Sequence, residues 1–419
     1  MERLVVKNFL LLKDVDIEIK KYNFLLGPQA SGKSILAKLL YFIYSVPELI
    51  NESINDCKDK SELNNIIINR FASIFPERYW SSDSFSIEYQ LNDFFINLNK
   101  NKETLEVNFS RKFQNEIDET LNEILFFWKN GRGGRLDSQS NIDSKKTISN
   151  FQDYIYERIS KLISECDLDN KRETIFLPSS RSIYSMLSGM TAKGSNIFAS
   201  DFILNQFAND YDFAKKLYYN HFKIPDFLEN EEFESFEKSI LKGKYVFTGD
   251  EEFLNINGKN TSLNNLSSGQ QEALPLIVML KYCAALGGSS MFIEEPEAHL
   301  FPESQAKIMS LLTYFGNMDF PSFSFFITTH SPYLLSILNN FLYGSKLIKE
   351  GKINIDQYIE ITGGARPINT DEVNAFTLVD GNSLSLMDED GVFIDSNVLD
   401  SASTIINDMY DKFVDCKLG

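Results

Sequence analysis

The spacing of apolar and polar positions changes several times along the chain, and each change marks an element. Leu4-Val5-Val6-Lys7-Asn8-Phe9 and Val15-Asp16-Ile17-Glu18-Ile19 alternate, which predicts two short strands in a hairpin-like arrangement. Tyr22-Asn23-Phe24-Leu25-Leu26 reads as a third strand, and Ile35, Leu36, Leu39, Leu40 and Ile43 recur at helical spacing. Beyond Ser45 the pattern shifts: Pro47 and the polar run 51–60 break the first block. Residues 85–89 and 105–109 then read as strands, and 113–128 and 151–166 as amphipathic helices. The Gly- and Arg-rich stretch 130–135 between those helices reads as an exposed loop; Arg132 and Arg135 would either touch a phosphate backbone or decorate a solvated loop tip. The expected organisation is a core of residues 1–44 and 172–419 carrying an inserted lobe at 45–171.

The second half of the core repeats one theme, a compact apolar strand ending in polar residues. Thr174-Ile175-Phe176-Leu177 ends in Pro178-Ser179-Ser180-Arg181, Met291-Phe292-Ile293 ends in Glu294-Glu295-Pro296, and Phe325-Phe326-Ile327 ends in Thr328-Thr329-His330. Between the first two of these, residues 183–241 are mostly helical by pattern. Residues 245–247 and 253–256 read as strands, the latter followed by the turn 257–260, and a long helix is expected at 273–286. A hairpin over 375–379, 383–387 and 392–394 and a helix at 403–413 close the chain. Strands alternating with helices in this way predict an α/β fold with a mixed central sheet flanked by helices and a largely helical insertion lobe.

The chemistry starts at Gly27-Pro28-Gln29-Ala30-Ser31-Gly32-Lys33-Ser34, which fits G-x-x-x-x-G-K-[ST] between a strand and a helix. Two glycines let the backbone turn with N–H groups aimed at phosphate oxygens, and the helix that follows presents its positive dipole end to the same anion. Gly27, Pro28, Ala30, Ser31, Gly32, Lys33, Ser34 and Ile35 are therefore candidate nucleotide-binding residues. Lys33 supplies a mobile charge for the outer phosphates, and the Ser34 hydroxyl is a candidate Mg²⁺ ligand. Tyr22 is close enough in sequence either to stack on the base or to serve as an ordinary core residue of its strand. ATP and Mg²⁺ are the implied ligands.

The paired acids divide the remaining work. Glu294 is the candidate metal ligand, and Glu295 the candidate base that polarises the attacking water. Neighbouring strand residues face opposite ways, so both acids reach one site only if the strand has ended there, which Pro296 favours. His330 is a candidate donor to a γ-phosphate oxygen. Arg181 would sense that phosphate, bridge to the insertion, or make a surface salt bridge. Ser267-Ser268-Gly269-Gln270 precedes a helix, where these residues act either as a plain N-cap or as an anion-binding start.

Composition narrows the setting. With 419 residues and 43% apolar content, the chain can build a sizeable core. The four cysteines, Cys57, Cys166, Cys283 and Cys416, form no C-x-x-C pair and suit a reducing compartment. The opening residues lack a signal-peptide shape and no run reaches the roughly 18 apolar residues of a spanning helix, so a cytoplasmic protein without a membrane partner is expected. A net charge of −18 argues mildly against DNA as the main ligand, although a local basic groove would be compatible with it.

Taken in order, these stretches resemble the ABC-type P-loop ATPase heads of the RecF, SMC and OLD-like group. The signature motif of that group matches 266–270 with Ser268 in place of a glycine, Walker B and the catalytic glutamate match Glu294 and Glu295, the D-loop region matches 297–300, and the switch histidine matches His330. The spellings Ile-Glu-Glu-Pro-Glu-Ala-His-Leu and Thr-Thr-His-Ser-Pro are most similar to ATPases of bacterial anti-phage systems. Two departures stand out: the Walker B acid is glutamate rather than aspartate, and the 178–181 turn occupies the place where a glutamine loop is expected. The resemblance implies a head-to-tail homodimer with ATP sandwiched between two heads, so that Ser267, Ser268, Gly269 and Gln270 would act on the partner's nucleotide.

The histidines lack the upstream arginine of a HEPN ribonuclease. Asp388-Glu389-Asp390-Gly391 follows its strand too closely for a TOPRIM nuclease, so a hairpin turn is the better reading there. The resemblance thus implies an ATPase sensor or scaffold that controls a separately encoded nuclease or toxin, as in PARIS, Septu or retron-associated systems. A RecF-like repair ATPase that binds DNA is the alternative, and a transporter subunit fits less well because of the insertion and the missing glutamine loop.

Overall fold

A computed structural model describes residues 1–56, 58–80, 82–131, 173–183, 201–219, 231–249, 251–318, 320, 322–388 and 393–395. The expected helices at 151–166 and 403–413, Arg132 and Arg135 of the expected loop, and most of 183–200 lie outside these residues. The chain divides into two compact units, residues 1–19 with 38–174, and residues 20–37 with 175–419. The N-terminal hairpin thus falls in the first unit and the P-loop strand in the second.

In the first unit β1 (Glu2–Phe9) pairs antiparallel with β2 (Leu12–Ile19) and with β4 (Ser84–Leu91). The meander continues through β5 (Phe94–Asn101) to β6 (Thr104–Phe109). The alternating pattern seen in the sequence is the burial pattern: in β2 Leu12, Val15, Ile17 and Ile19 are inside and the acids between them outside. Helices α2 (Lys60–Ile74) and α3 (Arg111–Gly131) complete the described part, so strands and helices share the unit. Its core is aromatic, with Phe71 packed on Phe9, Phe42, Phe75, Trp80 and Phe85.

Helix α1 (Lys33–Asn55) starts in the second unit and runs on into the first. It passes straight through Pro47, where a break was expected. Proline removes one backbone donor, and the buried run Leu39, Leu40, Phe42, Ile43, Val46, Leu49 and Ile50 holds the helix across that gap.

The second unit is built on strands in the order β14-β13-β3-β12-β11-β7. β3 (Tyr22–Leu26) lies parallel to both β12 (Ser322–Thr329) and β13 (Val373–Val379), and β11 (Gly288–Glu294) lies parallel to β12. β7 (Thr174–Leu177) forms one edge, and β14 (Asn382–Ser385) returns antiparallel on β13. All five residues of β3 and all seven of β11 are buried, as expected of strands covered on both faces. Helices α4 (Phe202–Tyr219), α5 (Glu231–Leu241), α6 (Ser268–Ala285), α7 (Pro302–Gly316), α8 (Pro332–Lys349) and α9 (Ile355–Thr362) supply that cover.

A small separate sheet, β8 (Lys244–Phe247), β9 (Glu252–Ile256) and β10 (Lys259–Ser262), precedes α6. Asn257 and Gly258, with φ of 51° and 81°, make the tight turn between the last two strands. Among the described residues no helix is long and apolar enough to cross a membrane.

Candidate nucleotide-binding site

The loop between β3 and α1 has the backbone a phosphate cradle needs. Gly27, Ala30 and Gly32 all have positive φ, at 141°, 63° and 102°. A Cβ on Gly27 would lie 2.9 Å from the Thr377 hydroxyl on β13, so glycine is required there by space as well as by φ. Pro28, Gln29, Ala30 and Ser34 are exposed, which leaves the outer rim of the loop open, while Ile35 is half-buried. Lys33 is only 5% exposed and folds back: its ammonium donates to the carbonyls of Gly27 at 2.9 Å and Pro28 at 2.7 Å. Burial pulls Lys33 down to about 8, against the opposing pull of Glu295, Glu297 and Glu294.

β11 delivers the acid pair and stops. Glu294 is its last residue, and Glu295 adopts φ 44°, while the Glu295 N–H still donates to the Thr328 carbonyl at 2.9 Å. This left-handed step breaks the alternation that would have sent the two carboxylates to opposite faces. Glu294 is 5% exposed; its Oε2 accepts from the Ser179 N–H at 3.0 Å, and its Oε1 is buried with no hydrogen-bond partner. Glu295 stays partly exposed, with its Oε1 3.2 Å from His330 Nε2.

His330 Nδ1 lies 3.4 Å from the Lys33 ammonium. An ammonium has donors only, so Nδ1 accepts, and the ring proton on Nε2 is directed at Glu295. Lys33, His330 and Glu295 thus form a chain from the loop to the candidate base.

Behind this chain stands a layer of holding contacts. Glu297 accepts from the Thr329 hydroxyl and, at 3.0 Å, from the His330 N–H. Burial raises the Glu297 pKa, with those hydrogen bonds opposing the rise. Ser331 caps α8 and donates to Gln305 at 2.7 Å. Glu297, Thr329 and Gln305 were not assigned these roles from the sequence. A third carboxylate three residues after Glu294, behind a proline, was the available signal.

The oxygen donors suit a hard divalent cation. Glu294 Oε1 and Glu297 Oε2 are buried and unpartnered, and Lys33 and Arg181 are the cations set against Glu294, Glu295, Glu297 and Glu272. Glu294 and Ser34 are the residues that would hold Mg²⁺, which when bound neutralises phosphate charge.

Ser267 is the N-cap of α6 and forms a capping box with Gln270: its Oγ accepts from the Gln270 N–H, and Gln270 Oε1 accepts from the Ser267 N–H at 2.9 Å. The helix begins five residues before the expected 273. Ser267 and Ser268 are exposed, and Gln270 also donates to the Leu241 carbonyl at 2.7 Å. Gly269 is buried, and a Cβ there would meet the His299 carbonyl at 2.8 Å. The turn after the acids therefore packs on this glycine. No hydrogen bond joins 266–270 to the chain's own loop among the described residues.

The structure decides between the two readings of Tyr22 and corrects that of Arg181. Tyr22 is 1% exposed, stacked on Phe325 and wedged against Gly316, so it is the core residue of its strand and no platform for a base. Arg181 is fully buried and spends its guanidinium on protein carbonyls and Glu272, so it neither senses phosphate nor makes a surface salt bridge. Burial lowers its pKa, with Glu272 the foremost opposing charge.

A family model described as AAA ATPase domain matches residues 1–335. The chain belongs to that family. This AAA ATPase domain protein is thus an ATP-hydrolysing enzyme. No curated protein matches it by sequence. Among solved structures it is similar to an SMC head domain from Thermotoga maritima, with 12% identity, a TM-score of 0.38, and 92% of this chain and 98% of that chain covered. It is also similar to the Pyrococcus furiosus Smc head domain with an extended coiled coil bound to the C-terminal domain of ScpA. There the identity is 13% and the TM-score 0.39, with 98% of this chain and 100% of that chain covered.

Proposed function

We propose that two copies of this ATPase close head to tail around ATP and Mg²⁺, and that the closed state makes the protein a sensor or scaffold subunit of a bacterial anti-phage system, controlling a separately encoded nuclease or toxin. The observation that carries the composite site is the split between its halves. Lys33, Glu294, Glu295 and His330 converge on one loop, while Ser267 and Ser268 stand exposed at a helix start that makes no bond to that loop. A helix N-terminus whose first serines face solvent is suited to an anion brought by a second subunit.

Within each half the roles follow from reach. Lys33 is held folded back until phosphate offers it better acceptors. Glu295 is partly exposed and oriented by His330, which suits a base for an attacking water. His330 sits between Lys33 and Glu295, so it reports on phosphate at one ring nitrogen and on the base at the other.

The effector reading is supported by the anti-phage spelling of the acid and histidine motifs.

The test is Glu295→Gln, which keeps the shape and removes the base. With ATP and Mg²⁺ the variant is expected to elute as a dimer on a sizing column and to hydrolyse on the order of 10²–10³-fold more slowly. A variant that stays monomeric with bound ATP overturns the composite site. Purification from a native host is expected to bring down a nuclease or toxin. Tight, salt-sensitive duplex DNA binding by the isolated protein would overturn the effector reading in favour of DNA repair.

A further inference from the structure

Arg181 is the largest fully buried side chain of the described residues. Its guanidinium binds three separate pieces of chain. Nε donates to the Glu272 carbonyl at 2.9 Å and lies 3.4 Å from the Glu272 carboxylate, in the second turn of α6. Nη1 donates to the Pro178 carbonyl at 3.1 Å and the Glu294 carbonyl at 2.7 Å, and Nη2 to the Glu295 carbonyl at 3.0 Å. The two acids that face the nucleotide loop are therefore gripped from behind by their own backbone.

Satisfying stranded carbonyls at the ends of β7 and β11 would need only neutral donors. A full charge buried at this depth is costly unless paired, and its carboxylate partner belongs to the helix that begins at Ser267. Glu272 is itself 3% exposed, and its Oε2 makes no hydrogen bond, so the pair is held by charge across 3.4 Å. A small shift of α6 changes this contact, and the same rigid fork holds Glu294 and Glu295. Lysine has one nitrogen and cannot span these acceptors; the planar guanidinium can.

We infer that Arg181 is a positioning residue that couples the start of α6 to the acid turn, so that nucleotide lodged against Ser267 and Ser268 adjusts the placement of Glu295 in the same subunit. The inference rests on the composite site proposed above. Arg181 touches no nucleotide in this arrangement; it acts through the backbone of the residues that do. One subunit's contact with the partner's ATP is thereby linked to its own hydrolysis.

Arg181→Lys keeps the charge and loses the fork. Its ATP affinity, read by titration with a fluorescent ATP analogue, is expected to stay within about twofold of the unmodified protein. Its kcat is expected to fall on the order of 10- to 100-fold, the cost of displacing a reacting group by a fraction of an ångström to an ångström. Combined with Glu295→Gln it is expected still to dimerise with ATP. Glu272→Gln, which leaves the Glu272 carbonyl contact in place, is expected to lower kcat several-fold at unchanged affinity, and it carries the test if Arg181→Lys does not fold.

Turnover within twofold of the unmodified protein in the folded variants overturns the inference. So does affinity falling in step with turnover, which would mark Arg181 as a merely structural support. If Glu295→Gln alone shows no ATP-driven dimer, the composite site fails as a separate matter, and with it the link to the partner's nucleotide. The comparison of affinity with turnover would then still decide whether Arg181 positions the acid turn within one subunit.

Discussion

β2 of the first unit and β11 of the second have nearly the same length, 8 and 7 residues, yet they are built on opposite rules. β2 alternates, with apolar residues inside and Lys13, Asp14, Asp16 and Glu18 outside, so its polar residues are spread along its length and solvated. β11 is buried throughout and pairs in parallel with β12, so it has nowhere to carry reactive polarity except its end. That is where Glu294 and Glu295 stand, as Gly27 stands at the end of β3 and His330 at the end of β12. In the first unit the strands make a sheet with a wet face. In the second they act as rails that bring chemistry to one edge.

The largest effect that would separate these two designs is a core deletion in the first unit. Phe71 is fully buried and touches five other aromatic rings. Phe71→Ala is expected to cost about 3–5 kcal/mol of stability, measured by chemical denaturation. ATP affinity of the protein that remains folded is expected to stay within about twofold. A parallel loss of ATP affinity would break the comparison, because it would place part of the nucleotide chemistry in the first unit.

The same contrast explains what could be read from the sequence. The alternating strands and the P-loop were legible because each carries a local pattern, period two in one case and fixed glycine spacing in the other. The acid pair was legible because Pro296 announces the end of a strand. Arg181 was not, since a polar turn with arginine looks identical whether its guanidinium faces solvent or is enclosed by carbonyls of residues about 90 to 114 positions away. Tyr22 was ambiguous for the same reason, its partners Phe325 and Gly316 being remote in sequence. The partner of β1 was not legible either, because β1 precedes the P-loop in sequence yet pairs with β4, a long-range register that periodicity does not encode.

A smaller effect, about 1.4 kcal/mol per pH unit at most, is expected at the strand ends themselves. Lys33 in the free protein titrates near 8, below its ordinary value of 10.5, because it is buried. Phosphate beside it favours the charged form, so ATP binding above pH 8 takes up a proton, and log K falls with pH at a slope approaching −1. The sign for folding is opposite: between 8 and 10.5 the unfolded chain holds more protons at this group, so its contribution to stability rises with pH. Calorimetry in buffers of different ionisation enthalpy reads the proton uptake directly. Lys33→Arg, charged throughout, is expected to bind more weakly but without that slope. A slope unchanged in Lys33→Arg would move the titration to another group.

The smallest effect concerns a polar residue that is near the loop but not at a strand end. Thr377 sits inside β13, paired in register with Leu26, fully buried, with its hydroxyl unpartnered and set against Gly27. If chemistry belongs only to the ends of these strands, that hydroxyl is packing volume. Valine has the same shape without the desolvated oxygen, so Thr377→Val is expected to leave stability unchanged or raise it by up to about 1 kcal/mol. ATP affinity is expected to stay within about twofold. A rise in stability with no change in affinity draws the boundary of the site at Gly27. A loss of affinity beyond about fivefold would make an interior strand position a nucleotide ligand, and the division between solvated sheet and strand-end chemistry would no longer describe the second unit.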